Sequence, residues 1–547
     1  MTDQAPASGD RLAPLIALLL SLGAAAFTLF MVTPDYVIDD AYIGFRYARH
    51  LYEGHGLVFN PGDNVEGYTS FLWVVMSTLS FYVGVKAVHF MQGVSVIAQL
   101  ITMWLVWRMG VRAGRSPFQA LLAPLFLATN VTFLTFPMTG MDTSLISMLV
   151  AFAVYAALGD HRSRGASVLL GIALSLVVLT RFDGFVMAGI VFTYLLFFER
   201  RVKFALPAIG IVFGVLVLYH AWRLGIMQYE LLPNTFHAKV AFGTRRLLHG
   251  LIYVTRFAAE GSQYLLVFGA LALALVRGSQ AVGLLGFICI MHFAYVVSVG
   301  GDWMPHFRFM LPIIPLLFLL MQEGVVGVRR VGDEVLRSSW AKRTFWGATI
   351  VLLFAFNLAG LYKGMFNGYR PSLKNLNRQF AMQFEGGRFR PKEAEVIGKS
   401  IDRGFPQDWY LAMEWAGVIP YWCHQETLDI FCLNDSQATK NPFPHSTVGM
   451  FMTAEYLKSR SPDLVVIVAR LYDTPEKATE DAHDRMHGGS TATEGGRWEH
   501  EFYGALDGPE FGYRVVTTKI GDKYWPYLLR EDREPVGDLA WPTDAPE

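Results

Sequence analysis

The sequence predicts a mainly α, polytopic membrane protein with a small α/β domain appended at its C-terminal end. Three observations carry this. Hydrophobic residues make up 53% of the 547-residue chain and charged residues only 17%, against about a quarter charged in soluble domains. Long apolar runs recur from residue 12 to about 362, separated by short charged loops. Beyond residue 363 the runs shorten to strand length among turn residues. The division expected is 1–362 for the membrane module and 363–547 for the tail. Lys+Arg and Asp+Glu balance at 46 each, so no global field points to nucleic acid. Three cysteines exclude a disulfide scaffold.

The first run, Leu12 to Val32, follows a short polar start and lacks a small-residue cleavage site after it, so it reads as a retained anchor. Further runs lie near 69–108 (broken), 118–136, 143–158, 166–180, 185–198, 204–222, 261–276, 280–299, 309–327 and 345–362. Several fall short of the roughly 20 residues a span needs and call for tilt or local thinning. Lys86 and His89 interrupt the broken run. Counting it once gives about eleven spans, with Phe71 to Val88 along or dipping into the outer interface. The basic loops Arg108–Arg115, His161–Arg164, Glu199–Lys203 and Arg329–Arg343 then all lie inside. The tail falls outside, with strands expected at Trp409–Met413, Thr427–Leu433, Leu464–Ala469 and Tyr513–Thr518, and a loop at Gly488–Gly496.

The outer loops carry the chemistry. Asp39 and Asp40 follow the first run directly and open an amphipathic helix bearing Tyr42, Arg46, Arg49 and Glu53 at helical spacing. Asp39 is a good N-cap for that helix. One acid suffices for capping, however, and a second acid with two arginines beside a bilayer points to function. Later outer loops hold Gly140-Met141-Asp142-Thr143, Thr180-Arg181-Phe182-Asp183-Gly184, Leu232-Pro233-Asn234-Thr235 with His237 and Lys239, and Gly301-Asp302-Trp303-Met304-Pro305 followed by Arg308. Taken singly, Asp142 and Asp183 read as helix caps and Arg181 as a snorkelling side chain. Taken together they gather acids and bases on one side of the membrane.

An acidic pair in the first outer loop resembles the signature of GT-C glycosyltransferases, multi-span enzymes that use lipid-linked sugar donors. The wider set, Asp39-Asp40-Ala41-Tyr42-Ile43, Arg46-Tyr47-Ala48, Gly54 to Asn60 and Val65-Glu66-Gly67-Tyr68-Thr69, is similar to the bacterial branch that includes mycobacterial arabinofuranosyltransferase B. The loops after the later spans extend the likeness across about residues 12–330. The resemblance implies single-sugar transfer from a polyprenyl-phosphate donor to an extracytoplasmic glycan, lipid or protein acceptor. The enzyme would sit in a bacterial cytoplasmic membrane with its site facing outward. An inverting displacement needs one carboxylate to take the acceptor proton and cations around the departing phosphate. The resemblance favours Asp39 as base, with Asp40 orienting it. Arg46, Arg49, Glu66, Tyr68, Asp142, Arg181, Asp183, Asn234, His237, Lys239, Asp302 and Arg308 are the candidate substrate contacts. Asp39, Asp40, Asp142 and Asp302 supply hard oxygen ligands and leave a divalent ion open as a cofactor. The competing reading is a transporter or flippase of a lipid-linked sugar. Transporters place polar groups at the midplane of internal repeats, whereas these groups sit at span ends and no repeat is visible. Cys423 and Cys432 flank a turn and are open to bridging or to burial as thiols.

Overall fold

The computed structural model describes residues 12–31, 37–160, 162–226, 233–235, 244–276, 278–302, 304–366, 390–435, 437, 442–443, 451–487, 497–506 and 511–544. The expected contacts His237 and Lys239 and the loop Gly488–Gly496 lie outside the described residues. The chain divides into two compact units. The first is Met1–Tyr36, Met91–Tyr219 and Phe242–Phe380; the second is Val37–Phe90, His220–Ala241 and Ala381–Glu547. The division at 362 is therefore not a cut in space: the first outer loop and residues 220–241 group with the tail.

Among the described residues five helices are long and apolar enough to cross a bilayer: Ala13–Phe30, Ala87–Arg112, Val202–Ile226, Gln280–Val299 and Ser339–Tyr362. Two bent pairs raise the number to seven. Thr143–Ala157 and Arg164–Thr180 are apolar but span only 15 and 17 residues, roughly 23–26 Å at 1.5 Å per residue. The expected count of about eleven therefore holds only if such short helices cross a thinned bilayer. Side chains such as Leu19, Phe213 and Leu218 stay exposed, the pattern of helices whose solvent is lipid.

The 69–108 run is two helices, Phe71–Tyr82 and Ala87–Arg112, with Gly84 at positive φ between them. Twelve residues reach about 18 Å, too short to cross. The expected interfacial segment thus ends at Tyr82, and Val88 already belongs to the long helix that follows.

In the first unit the pair Gln119–Leu127 and Val131–Met138 bends by 65°. Such a break frees backbone carbonyls that lipid cannot satisfy. Asn357 Nδ2 donates to Phe126 O at 2.8 Å and to Thr129 Oγ1 at 2.6 Å. Thr28 Oγ1 donates to Leu134 O at 3.0 Å, Gln99 Nε2 to Phe133 O at 3.3 Å, and Gln92 Nε2 to Met138 O at 2.8 Å. Asn130 caps the second half by accepting from the Phe133 amide.

The second unit holds a five-stranded mixed sheet in the order β2-β1-β5-β7-β6. Its strands are β1 (Leu411–Met413), β2 (Thr427–Asp429), β5 (Leu464–Val466), β6 (Tyr513–Ile520) and β7 (Lys523–Arg530), with β3 (Pro442–Phe443) and β4 (Phe451–Met452) as a separate pair. β1 runs parallel to β2 and β5, while β7 is antiparallel to β5 and β6. Ala412, Leu428, Val465 and Leu528, from β1, β2, β5 and β7, pack with Ile430, Ile467 and Tyr503 in one core. All four predicted strand regions contain strands, the first three shorter than expected. β7 was unpredicted, although Gly521-Asp522, with Gly521 at φ 62°, is a hairpin turn. The helix Asp39–Tyr52 belongs to this unit and puts Ile43, Tyr47 and Ala48 against Ala416 and Leu433. Cys289, Cys423 and Cys432 are free, buried thiols.

Candidate functional site

The acidic pair opens the helix Asp39–Tyr52, whose N-cap is Ile38 and not Asp39. The capping explanation for Asp39 therefore fails. Its carboxylate accepts the backbone amides of Gly417 and Val418 at 2.9 and 2.8 Å. A Cβ at Gly417 would overlap the Asp39 backbone, so only glycine lets the amide come so close. Burial pushes the Asp39 carboxyl up to about 7, with Asp40 adding to the rise and the two amides opposing it. Each carboxylate oxygen takes one amide hydrogen and keeps a second lone pair. Asp40 is the more open of the two.

The cations of the same helix bond chiefly to the protein's own carbonyls. Arg46 is fully buried and donates to Phe59 O at 2.8 Å, Asn60 Oδ1 at 3.2 Å, Gln425 O at 3.1 Å and Pro420 O. Arg49 is buried and donates to Tyr421 O at 2.5 Å and Cys423 O at 3.3 Å. In place of the expected phosphate contact, Arg46 bonds main-chain carbonyls and the Asn60 amide oxygen, and Arg49 two main-chain carbonyls, while Arg49 Nε makes no hydrogen bond among the described residues. Glu66 is also buried and forms an ion pair with Arg223. Tyr68 is buried edge-on against Tyr47, ring centroids 4.9 Å apart. Asn234 Nδ2 donates to Cys432 O, Leu433 O and Asp435 O at 2.8–3.3 Å. These three signature residues likewise hold the second unit together and are not open contacts. Asn60 completes the set, donating to Thr427 O and accepting from the Thr427 amide.

The first unit gathers the remaining candidates. Asp142 and Asp183 stand at the N-cap positions of Thr143–Ala157 and Gly184–Thr193, yet neither side chain makes a cap hydrogen bond. Arg181 Nε donates to Asp183 Oδ1 at 2.9 Å, and Arg181 Nη1 lies 3.9 Å from Asp142 Oδ1. Tyr295 Oη donates to Asp183 Oδ2 at 2.5 Å. Arg308 pairs with Asp302 at 2.8 Å. His306 and Phe307 hold φ of 61° and 54° just before it, an uncommon conformation for side-chain-bearing residues. A cavity of about 40 Å³ opens among these groups, lined by Thr143, Arg181, Asp183, His292, Tyr295 and Arg308 with apolar neighbours such as Ile146 and Met187. His292 is fixed by a 2.7 Å contact between Nε2 and Phe309 O.

Sequence reasoning missed Tyr295, His292 and Arg223. All three sit inside apolar helices, where a lone polar residue at helical spacing was the available signal. Among the described residues no group of three or more His, Cys, Asp or Glu side chains is arranged to hold a metal ion. Of the acids left open as ligands, Asp39 is taken by amides and Asp302 by a guanidinium.

Helices of spanning length mark a multi-pass membrane protein, and the structural likenesses give it the GT-C fold. The comparisons bear on this directly. ArnT from Cupriavidus metallidurans, in a crystal structure bound to undecaprenyl phosphate, superposes with a TM-score of 0.52 at 13% identity, covering 76% of this chain and 85% of that one. The Archaeoglobus fulgidus oligosaccharyltransferase, in complex with zinc and sulfate, superposes with a TM-score of 0.51 at 12% identity, covering 76% of this chain and 62% of that one. At such identities the likeness shows the fold. A terminal β-(1→2)-arabinofuranosyltransferase of Corynebacterium glutamicum is 26% identical over 376 residues, covering 59% of this chain and 53% of that protein. The chain thus matches about half the length of that curated relative. A family described as "Domain of unknown function (DUF8728)" matches residues 380–522, within the tail.

Proposed function

We propose that this protein is a membrane glycosyltransferase moving a single sugar from a polyprenyl-phosphate donor to an extracytoplasmic glycan, lipid or protein acceptor. The donor class draws support from the structural likeness to a protein seen with undecaprenyl phosphate, and the transferase class from the curated arabinofuranosyltransferase relative. The reading places the protein in a bacterial cytoplasmic membrane with its outer loops and tail facing the periplasm or exterior.

One observation carries the mechanism: a buried carboxylate, Asp39, held by two amides with lone pairs to spare and a second acid beside it. Asp39 takes the acceptor hydroxyl proton as that oxygen attacks the anomeric carbon. The bond to the prenyl phosphate breaks on the opposite face, inverting the centre, and the phosphate leaves as an anion. Asp40 orients Asp39, whose carboxyl is held high by burial first and by Asp40 beside it second. Cations must meet the leaving phosphate. Arg46 and Arg49 bond chiefly to the protein's own carbonyls, which favours the other basic candidates, His237 and Lys239 among them.

The test is transfer by the purified chain in nanodiscs, using undecaprenyl-phosphate arabinofuranose and hexose donors, read by mass of the glycosylated acceptor. Transfer that falls roughly 10²-fold or more in Asp39→Asn is expected. Movement of intact donor across vesicles, with no cleavage of its sugar–phosphate bond, overturns the reading in favour of a transporter.

A further inference from the structure

The helix Pro475–His487 lies in the tail, and none of its residues takes part in the proposed transfer. It buries Ala478, Ala482 and Met486 in the core of the second unit. On its other side Glu480, His483, Asp484 and His487 recur at i, i+3, i+4 and i+7, all of them exposed. Two histidines four residues apart on a helix are spaced to offer both imidazoles to a single metal ion.

The geometry meets that requirement. The His483 and His487 ring centres stand 6.1 Å apart, with planes 25° from parallel. A ligating nitrogen sits about 2.1 Å from its ion, which puts the ring centre roughly 3.2 Å away and limits two rings on one ion to about 6.5 Å. The backbone beneath the pair is held. Gly504, on the neighbouring helix Arg497–Leu506, approaches so closely that a Cβ there would stand 2.8 Å from the Met486 carbonyl oxygen. Histidines on a packed helix lose little freedom when they ligate.

The charge of an ion is met as well. His487 ends the helix, where the last carbonyls carry partial negative charge. Glu480 and Asp484 flank the pair on the same exposed face. Arg485 is drawn away from them, donating to Ile467 O and, at 3.2 Å, to Glu414 Oε2.

We infer that His483 and His487 form a two-imidazole site for a divalent transition-metal ion such as Cu²⁺, Ni²⁺ or Zn²⁺. Among the described residues no third side chain joins them, so water fills the remaining positions. Imidazole suits these ions, whereas Mg²⁺ and Ca²⁺ take oxygen ligands. The site is independent of the transferase reading and stands or falls without it.

Calorimetric titration of the full, untagged chain in nanodiscs tests it, with Cu²⁺, Ni²⁺, Zn²⁺, Mg²⁺ and Ca²⁺ as probes. Cu²⁺ should bind more tightly than Ni²⁺ or Zn²⁺. Its tightest equivalent should weaken about tenfold or more in His483→Gln and in His487→Gln, since loss of an outer-shell partner alone costs about 10–100-fold. Electron paramagnetic resonance of that equivalent should show coupling to two imidazole nitrogens, falling to one in either variant. Equal Cu²⁺ affinity in wild type and both variants overturns the assignment. So does preference for Mg²⁺ or Ca²⁺, or a wild-type spectrum with fewer than two nitrogens. Both side chains are exposed, so unfolding midpoints without metal should match wild type, and alanine variants repeat the titration if either glutamine variant unfolds early.

Discussion

Raising the pH from 6 to 8 should raise the transfer rate about tenfold. Asp39 must be ionised to take a proton, and its burial lifts the carboxyl from 3.8 to about 7. With a midpoint near 7, roughly one molecule in ten is ionised at pH 6 and nine in ten at pH 8. Stability should run the other way. The unfolded chain releases this proton near 3.8 and the folded chain near 7. Between those values the unfolded state binds fewer protons, so stability falls as pH rises, by an order-of-magnitude 4 kcal/mol at about 1.4 kcal/mol per unit. Asp429, likewise buried and raised to about 7, adds a second contribution of the same sign, and Asp429→Asn separates the two. The assay pairs initial transfer rates with thermal unfolding from pH 5 to 8 for wild type, Asp39→Asn and Asp40→Asn. A flat wild-type rate between pH 6 and 8, or near wild-type transfer by Asp39→Asn, refutes the reasoning. Should Asp40→Asn alone abolish transfer, the base is Asp40.

Glu66→Gln should destabilise the folded chain by about 3–5 kcal/mol, because it leaves the buried Arg223 guanidinium uncompensated; denaturation midpoints check this, and an unchanged midpoint removes the ion pair from the fold's support. Arg46→Lys should lower thermal stability by about 2–4 kcal/mol through lost hydrogen bonds to buried acceptors. Donor KM in the surviving folded fraction should stay unchanged, and a stable variant with raised KM would return Arg46 to the substrate. All three cysteines should alkylate fully in unfolded, unreduced protein, and a mass two units lighter over the peptide holding Cys423 and Cys432 would contradict the structure.

The helical module and its motif loops were legible because apolar periodicity is a local signal. What each motif residue does was not. Arg46 and Arg181 are the same residue type at similar juxtamembrane positions, yet one serves carbonyls nearly 380 residues away and the other a cavity. Only contacts distant in sequence tell them apart. The same holds for Asp39, whose partners at 417 and 418 lie in a segment read as ordinary tail. β7 was overlooked because Trp525-Pro526-Tyr527 breaks the apolar/polar alternation and puts a proline where an interior strand is not expected.

The bent pair 119–138 also sets an order of assembly. Its carbonyl at Phe126 accepts from the Thr129 amide and hydroxyl within the bend itself, and Asn357, on the helix Ser339–Phe366, adds a further bond to it and one to Thr129 Oγ1. That helix leaves the ribosome more than 200 residues later. The bend is therefore locally satisfied from the start, and the last helix of the module fastens the structure that the third run begins.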